Sequence, residues 1–508
     1  MTIPVAGTVA PVVFPVRPMS GQNGELLRYT VNIAQGWMAL WNSSALVSMM
    51  GGWDPHGNVY NASGVTSPGV LADGPKRAWM WNITIPKGLT GSAQALHLGD
   101  RVFGAEVGIY AVKSWAFSLK PGQEGTLLFN TTWTPPTSWA ESNRTSSVRI
   151  NAVSLDDGVF TVVNVDSRQN WGFSTNTGQL VWGPTDPQPY LDQYQEAMSI
   201  IANGRYIVGA ESGVVQAYNV TTGALLWKYE VKDIFNENPV GVNWPLRAPT
   251  AIIADGKIYG GYGEHSPNQP LARGAPFFCL NESTGELIWQ QYMVVSSYSY
   301  TPTIGDSIVA TLNSYDNQIY TIGKGPSTIT VEAPLSSNEI GKSLIIQGSV
   351  MDNSPGVKQA GLELRFPNGV PVASDASMSE WMRYVYMQFA KPSNVIGVEV
   401  SIDVIDSNGN YRNIGTTTSD SSGDFSFAWK PDISGKFTVI ATFAGSKSYY
   451  PSYDQTAFVV DEAASTPSPY PVTILPPTEM YIIAGVAAII VAIAIGFATT
   501  ILVLRKRP

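Results

Sequence analysis

The chain has one cysteine, Cys279, in 508 residues, which rules out an internal disulfide, a multi-cysteine metal cluster and a paired-thiol redox site. A small side chain buried in a strand is the expectation for it. A surface protein without disulfides is held together by packing alone, which is more natural in a prokaryote than in animal secretion. Histidine is almost as scarce: His56, His97 and His265 are the only three, none at ligand spacing with another, so a histidine metal centre has no sequence support. Glu264-His265 lies in a stretch read as a solvated loop. Charged residues make up only 14%, too few for helices laced with ion pairs. Setting aside Arg505, Lys506 and Arg507 leaves 27 basic against 39 acidic residues, a net of −12 that repels nucleic acid. No glycine-rich phosphate loop or nucleophile elbow is present.

What is plentiful is Gly (48), Pro (35), Tyr (23) and Trp (15), the composition of short strands joined by tight turns. The fold class expected is mainly β, and the length calls for two or three domains. From Tyr481 to Leu504 runs a stretch of 24 residues without a charge, long enough to cross a bilayer as a helix. Arg505, Lys506 and Arg507 follow it, so the positive-inside bias places a tail of residues 505–508 in the cytoplasm and everything before the span outside. The expectation is a single-pass cell-membrane protein that is nearly all ectodomain. Export would need a leader, yet residues 1–18 lack a basic segment and carry Pro4, Pro11 and Pro15. Met1 is therefore expected to lie inside a longer or processed gene product.

Asn-x-Ser/Thr sequons at Asn42, Asn61, Asn82, Asn130, Asn143, Asn219 and Asn281 agree with an outside location. All seven precede residue 330, and several are expected to carry glycans.

One motif occurs three times: Thr177-Gly178-Gln-Leu-Val-Trp182, Thr222-Gly223-Ala-Leu-Leu-Trp227 and Thr284-Gly285-Glu-Leu-Ile-Trp289. Each copy follows a hairpin signal, Asp157-Gly158, Asn203-Gly204 or Asp255-Gly256, where Asx-Gly supplies the positive φ of a tight turn. Weaker copies surround Gly99-Asp100 with Glu124-Gly125, and Gly305-Asp306 with Asn317. Units of roughly 40 to 50 residues with several strands and a closing tryptophan have the form of propeller blades. Five to six can be discerned.

At the residue level Ala-Asp-Gly-Lys-Ile-Tyr259 followed by Leu-Asn-x-x-Thr-Gly-Glu-Leu-Ile-Trp289 resembles the PQQ-like propeller repeat of quinoprotein dehydrogenases and of the outer-membrane assembly propeller lipoprotein. The resemblance covers about residues 70 to 325. It implies that Trp182, Trp227 and Trp289 pack between neighbouring blades and that Gly178, Gly223 and Gly285 sit in turns joining two strands, all of them structural. It also raises the question of PQQ on calcium in the propeller centre. No Cys-Cys pair exists, and no residue set matches the calcium and base positions, so neither cofactor is expected.

After residue 326 the pattern changes. Alternation in Val398, Val400, Ile402 and Val404, in Phe425, Phe427 and Trp429, and in Phe437, Val439, Ala441 and Phe443 marks strands with one buried face. With turns at Asn408-Gly409 and Ser422-Gly423, residues 327–462 read as an immunoglobulin-like sandwich. Asp406-Ser-Asn408 is read as hairpin rather than calcium loop, for it lacks the downstream bidentate Glu. Such a module after a propeller and before an anchor resembles archaeal surface proteins. Ser377 and Glu380 suggest a capping box opening a short helix through Trp381, Met382, Val385 and Phe389. Residues 463–479 form a Pro-rich stalk and residues 480–504 the span. The functional expectation is a non-catalytic surface propeller, residues 1–326, that binds other envelope proteins, glycans or a small ligand. The alternatives are an envelope enzyme with its site in the propeller channel and a structural surface-layer component.

Overall fold

Tight turns that need positive φ recur along the first 330 residues, and they dictate up-and-down sheets. The computed structural model describes residues 19–21, 23–42, 79–141, 147–193, 198–238, 243–246, 251–262, 275–295, 302–336, 338–463 and 478–506. The first sheet holds β1 (Met19–Ser20), β2 (Leu26–Asn32), β3 (Trp37–Asn42) and β4 (Trp79–Thr84), and the second β5 (Ser92–His97), β6 (Arg101–Val107), β7 (Val112–Ser118) and β8 (Leu127–Trp133). In the third are β9 (Val148–Ser154), β10 (Val159–Asn164), β11 (Gln169–Ser174) and β12 (Leu180–Trp182). The fourth has β13 (Met198–Ala202), β14 (Arg205–Gly209), β15 (Val214–Asn219) and β16 (Leu225–Glu230). The fifth has β17 (Ile252–Ala254), β18 (Lys257–Gly261), β19 (Pro276–Asn281) and β20 (Leu287–Tyr292). A sixth, three-stranded sheet contains β21 (Thr303–Gly305), β22 (Ile308–Asn313) and β23 (Gln318–Ile322). Each of these six is an antiparallel meander in chain order.

At Asn203-Gly204 and Asp255-Gly256 both turn residues take positive φ, so β13–β14 and β17–β18 close through the mirror-image turns that match strand twist. Consecutive sheets pack face to face, the arrangement of propeller blades. Tyr29, Val31 and Met38 of the first sheet share a core with Val102, Trp115 and Phe117 of the second. Phe103 and Ala105 on the second sheet's other face meet Phe160, Val162 and Phe173 of the third. Ile207, Val215 and Ala217 of the fourth meet Ile258, Phe278 and Leu280 of the fifth. Tyr259, Phe277 and the fully buried Cys279 meet Val309 of the sixth. Stability is thus a chain of nearest-neighbour interfaces.

The outer strands share a bulge. In each of the five four-stranded sheets one residue of the fourth strand is skipped by the pairing: Met80, Leu128, Val181, Leu226 and Ile288. All five are apolar and 44 to 54% exposed. Each precedes the aromatic residue that the bulge turns inward: Trp81, Phe129, Trp182, Trp227 or Trp289.

Beyond the sixth sheet β24 (Ser327–Glu332), β25 (Leu344–Asp352) and β28 (Asp424–Trp429) form one sheet. β26 (Glu399–Ile405), β27 (Tyr411–Thr418), β29 (Gly435–Phe443) and β30 (Ser452–Val460) form the other, in the order β27-β26-β29-β30. The alternating residues Val400, Ile402, Val404, Phe437, Val439 and Ala441 fill the layer between them with Ile346 and Val350. Between β25 and β26 the chain inserts two helices, α1 (Ala360–Arg365) and α2 (Met378–Met387), with their own small core of Leu362, Val370, Trp381 and Val385. The expected capping box of α2 does not form. Ser377 is already helical, and its Oγ accepts from the Ile396 N–H at 3.1 Å instead of capping.

The last element, α3 (Thr478–Leu504), is 27 residues long, reaches a mean hydropathy of 2.7 over 18 residues and has none of it buried, a helix long and apolar enough to span a membrane.

Candidate functional site

The repeated turns do two jobs. In the turn after β15, the Asn219 carboxamide oxygen accepts the N–H groups of Thr221 (2.9 Å) and Thr222 (3.0 Å), and Gly223 donates to the Asn219 carbonyl at 2.8 Å. Asn281 repeats this with Ser283 (2.8 Å), Thr284 (3.2 Å) and Gly285 (2.8 Å). The glycines close these turns at φ +72° and +74°, and they also make room for a ring from the preceding sheet. A Cβ on Gly223 would stand 2.6 Å from Trp182, and one on Gly285 2.5 Å from Trp227. The indoles are fixed by hydrogen bonds across the same junctions. Trp182 Nε1 donates to the Val220 carbonyl at 2.6 Å, and Trp227 Nε1 to the Glu282 carbonyl at 3.0 Å.

At the two ends of the series the arrangement differs. Gly178 abuts Ser114, Thr131 and Phe129 of the second sheet, where Phe129 occupies the tryptophan position. Trp289 is half-buried against Tyr259 and Phe277, and the equivalent turn of the sixth sheet carries Asn317 at φ 58° in place of glycine. Turn-to-turn polar contacts run along the same edge: Gly204 N–H to Asp157 at 2.7 Å, and Asn203 Nδ2 to the buried Glu282 carboxylate at 3.1 Å, with Arg205 3.6 Å from it.

The interface between the third and fourth sheets stands apart because it is polar. Its apolar cluster is small, Ala152, Trp182, Tyr206, Val208 and Tyr218, two of them tyrosines. The residue two places after the turn glycine is Phe160, Tyr206 and Ile258 in the third, fourth and fifth sheets, each fully buried and facing the preceding sheet. Only Tyr206 brings a polar atom. Its hydroxyl donates to Asn170 Oδ1 at 2.8 Å and accepts from Asn151 Nδ2, and burial pushes its pKa up to about 12. Asn170 is wholly buried, its N–H donates to Thr185 Oγ1 at 3.1 Å, and its Nδ2 finds no acceptor among the described residues. Among the described residues Gln216 Oε1 is likewise buried without a hydrogen-bond partner. Asp192, at one side, accepts the Ser212 N–H at 3.0 Å. Burial pushes its carboxyl up to about 6, against the Ser212 hydrogen bonds and the charge of Arg168.

Such a layer has donors and acceptors left over for small polar molecules or water, with Asp192, its pKa raised by burial, beside them. Among the described residues no three His, Cys, Asp or Glu side chains converge as metal ligands. His97 sits exposed, 3.5 Å from Asp156, while His56 and the Glu264-His265 pair lie outside the described residues. Asp406 spends its carboxylate on its own turn, accepting the N–H groups of Asn408 (2.9 Å) and Asn410 (3.0 Å). The Cys279 thiol is buried and its pKa pushed up to about 12, the opposite of a reactive thiolate. The polar layer was not among the sequence-derived candidates. The one signal for it was Tyr206 in a repeat position that is otherwise Phe or Ile.

Of the sequons, Asn82 on β4 and Asn130 on β8 are exposed, whereas Asn42, Asn219 and Asn281 are half-buried. Asn61 and Asn143 lie outside the described residues.

A family model described as outer membrane protein assembly factor BamB matches residues 138–259, the stretch that includes the polar layer and the first two Trp motifs. The chain thus carries a PQQ-like propeller module. Comparison with curated proteins gave no match. Among solved structures, BamB from Moraxella catarrhalis is similar at 11% identity over 66% of this chain and 96% of that one, with a TM-score of 0.26. The computationally designed Ika8 protein is similar at 12% identity over 66% and 82%, with a TM-score of 0.33. The quinohemoprotein alcohol dehydrogenase ADHIIG from Pseudomonas putida HK5 is similar at 13% over 75% and 68%, with a TM-score of 0.30. Those scores are too low for the superpositions to bear on function.

Proposed function

We propose that the protein is a membrane-anchored, non-catalytic propeller that binds other proteins of the cell envelope at the outer strands of its sheets. The observation that carries this reading is the bulge series. Five apolar side chains at one repeat position, all about half exposed, are more than scattered surface hydrophobics, and repetition of this kind suits contact with a partner. The match of residues 138–259 to the assembly-factor model favours the same class of role. In this reading α3 is the anchor, Arg505 and Lys506 mark its cytoplasmic end, and the sheets lie outside with glycans at Asn82 and Asn130. The sandwich, with β24-β25-β28 facing β27-β26-β29-β30, is an immunoglobulin-like spacer between propeller and membrane. Neither PQQ nor calcium is part of the reading.

A photoreactive amino acid at Leu226 or Ile288, introduced in the full chain in its own membrane, tests the proposal. Discrete crosslinked protein species, absent when the probe replaces Lys436 in the sandwich, are expected. Equal or no crosslinking at the two places would contradict binding through the outer strands.

A further inference from the structure

The sandwich touches the propeller through a surface that no local sequence pattern announces. Helix α2 lies against β20, the outer strand of the fifth sheet, although about 90 residues separate them in sequence. Arg383 Nη2 donates to the Gln290 carbonyl at 3.0 Å while its guanidinium lies 4.5 Å from the centre of the Tyr292 ring. Gln291 Nε2 donates in the other direction, to the Ser379 carbonyl, at 3.2 Å. Phe389 stacks on Tyr292 at 5.8 Å, and Phe235 packs on both rings. Met387, partly buried, packs against the core between the fifth and sixth sheets.

Each side of this contact is itself held. Phe235 sits in a turn whose Asp233 carboxylate accepts the N–H groups of Phe235 (3.2 Å), Glu237 (2.7 Å) and Asn238 (2.6 Å). On the sandwich side Arg365 donates to the Tyr384 and Val385 carbonyls at 2.9 and 2.8 Å, and Trp381 Nε1 to the Pro371 carbonyl at 3.0 Å.

The covalent connection is pinned as well. Gly325 N–H donates to the Ser448 carbonyl (2.9 Å), and the Gly325 carbonyl accepts from Tyr450 (2.8 Å). The Pro326 carbonyl accepts from Asn353 at 3.0 Å. A freely swinging linker would leave these groups to water.

We infer that the α1–α2 insert is a latch that fixes the propeller's attitude on the sandwich, so that the two turn as one body. The latch is independent of what the propeller binds. Its chemistry sets its sensitivity. Among the described residues Arg383 forms no ion pair, and its partners are a carbonyl and an aromatic face, so neither salt nor pH between 5 and 8 has a charge pair to weaken.

The test is a distance measurement by pulsed electron paramagnetic resonance on the full chain in detergent. Nitroxides go on Lys228→Cys in β16 and Lys436→Cys in β29, both exposed, while the native Cys279 is buried and leaves the labelling clean. One narrow distance peak is expected, unchanged between 0.1 and 1 M NaCl. Adding Arg383→Ala with Phe389→Ala should remove that single peak and leave a broad distribution, and Arg383→Lys, which keeps the charge but loses the planar fork, should broaden it in part. A broad distribution in the unaltered chain overturns the latch whether or not the variants fold. So does a peak that stays narrow in the double variant. Crosslinking at Leu226 that persists in the double variant would leave partner binding standing while the latch is judged separately.

Discussion

Replacing Gly285 by alanine separates two costs that glycine avoids in this fold. The first is conformational: at φ +74° an L-residue loses about 1–2 kcal/mol relative to glycine. The second is steric, because the new Cβ would lie 2.5 Å from Cε3 and 2.6 Å from Cδ2 of Trp227, within the rigid part of the indole. That ring is fixed by the Nε1 hydrogen bond to Glu282 and by the core of the fourth and fifth sheets, so it cannot swing aside cheaply. Forcing a methyl into a filled site costs about 1–3 kcal/mol, for a combined loss of about 2–5 kcal/mol. Gly256 supplies the control, with φ +65° and nothing within 4 Å of its Cβ position, so Gly256→Ala carries only the first cost. Thermal melts of the full chain in detergent, followed by tryptophan fluorescence, read the difference. A cooperative unit of 150–250 residues loses roughly 2–4 °C per kcal/mol, so Gly285→Ala should melt several degrees below Gly256→Ala. In a Trp227→Leu background the two substitutions should cost the same, since the ring is gone. Equal drops in the unaltered background would refute the docking argument.

Asp192→Asn should raise the melting temperature at pH 7.5 and leave it unchanged at pH 4. The wild-type carboxyl titrates near 6 when folded and near 3.8 when unfolded, so its stability contribution is intact below pH 4 and is lost as pH rises through 6. Asparagine keeps the oxygen that accepts the Ser212 N–H without the buried charge. Tyr206→Phe should lower stability by about 1–3 kcal/mol by stranding Asn170 and Asn151, as chemical denaturation checks. Asn82→Gln and Asn130→Gln should each remove one glycan's mass from the protein made in its own host, as read by intact-mass spectrometry.

What the sequence disclosed was local chemistry. Asx-Gly and Thr-Gly turns announce themselves because positive φ demands glycine or asparagine within two or three residues, and from them the meander sheets follow. The apolar run of α3 and the alternation of β26 and β29 are equally local. The polar layer escaped notice because Asn151, Asn170 and Tyr206 come from three strands, with 36 and 55 residues separating the hydrogen-bonded pairs. The exposed bulges were hidden for a related reason. Leu226 looks like any core leucine until pairing of Ala217 with Trp227 and of Tyr218 with Leu225 shows that it is the residue left over. The capping box of α2 failed because Ser377 Oγ had a tertiary donor, the Ile396 N–H, that no local pattern could reveal.

The most direct measurement of the central claim, a binding propeller without a cofactor, is to incubate the purified full chain with PQQ and calcium, desalt it, and record both retained cofactor by mass spectrometry and the melting temperature. The expected result is no cofactor above the level kept by an unrelated protein and no shift in melting. Stoichiometric retention with a rise of several degrees, together with dye reduction on an added primary alcohol, would contradict it and make the chain an oxidoreductase.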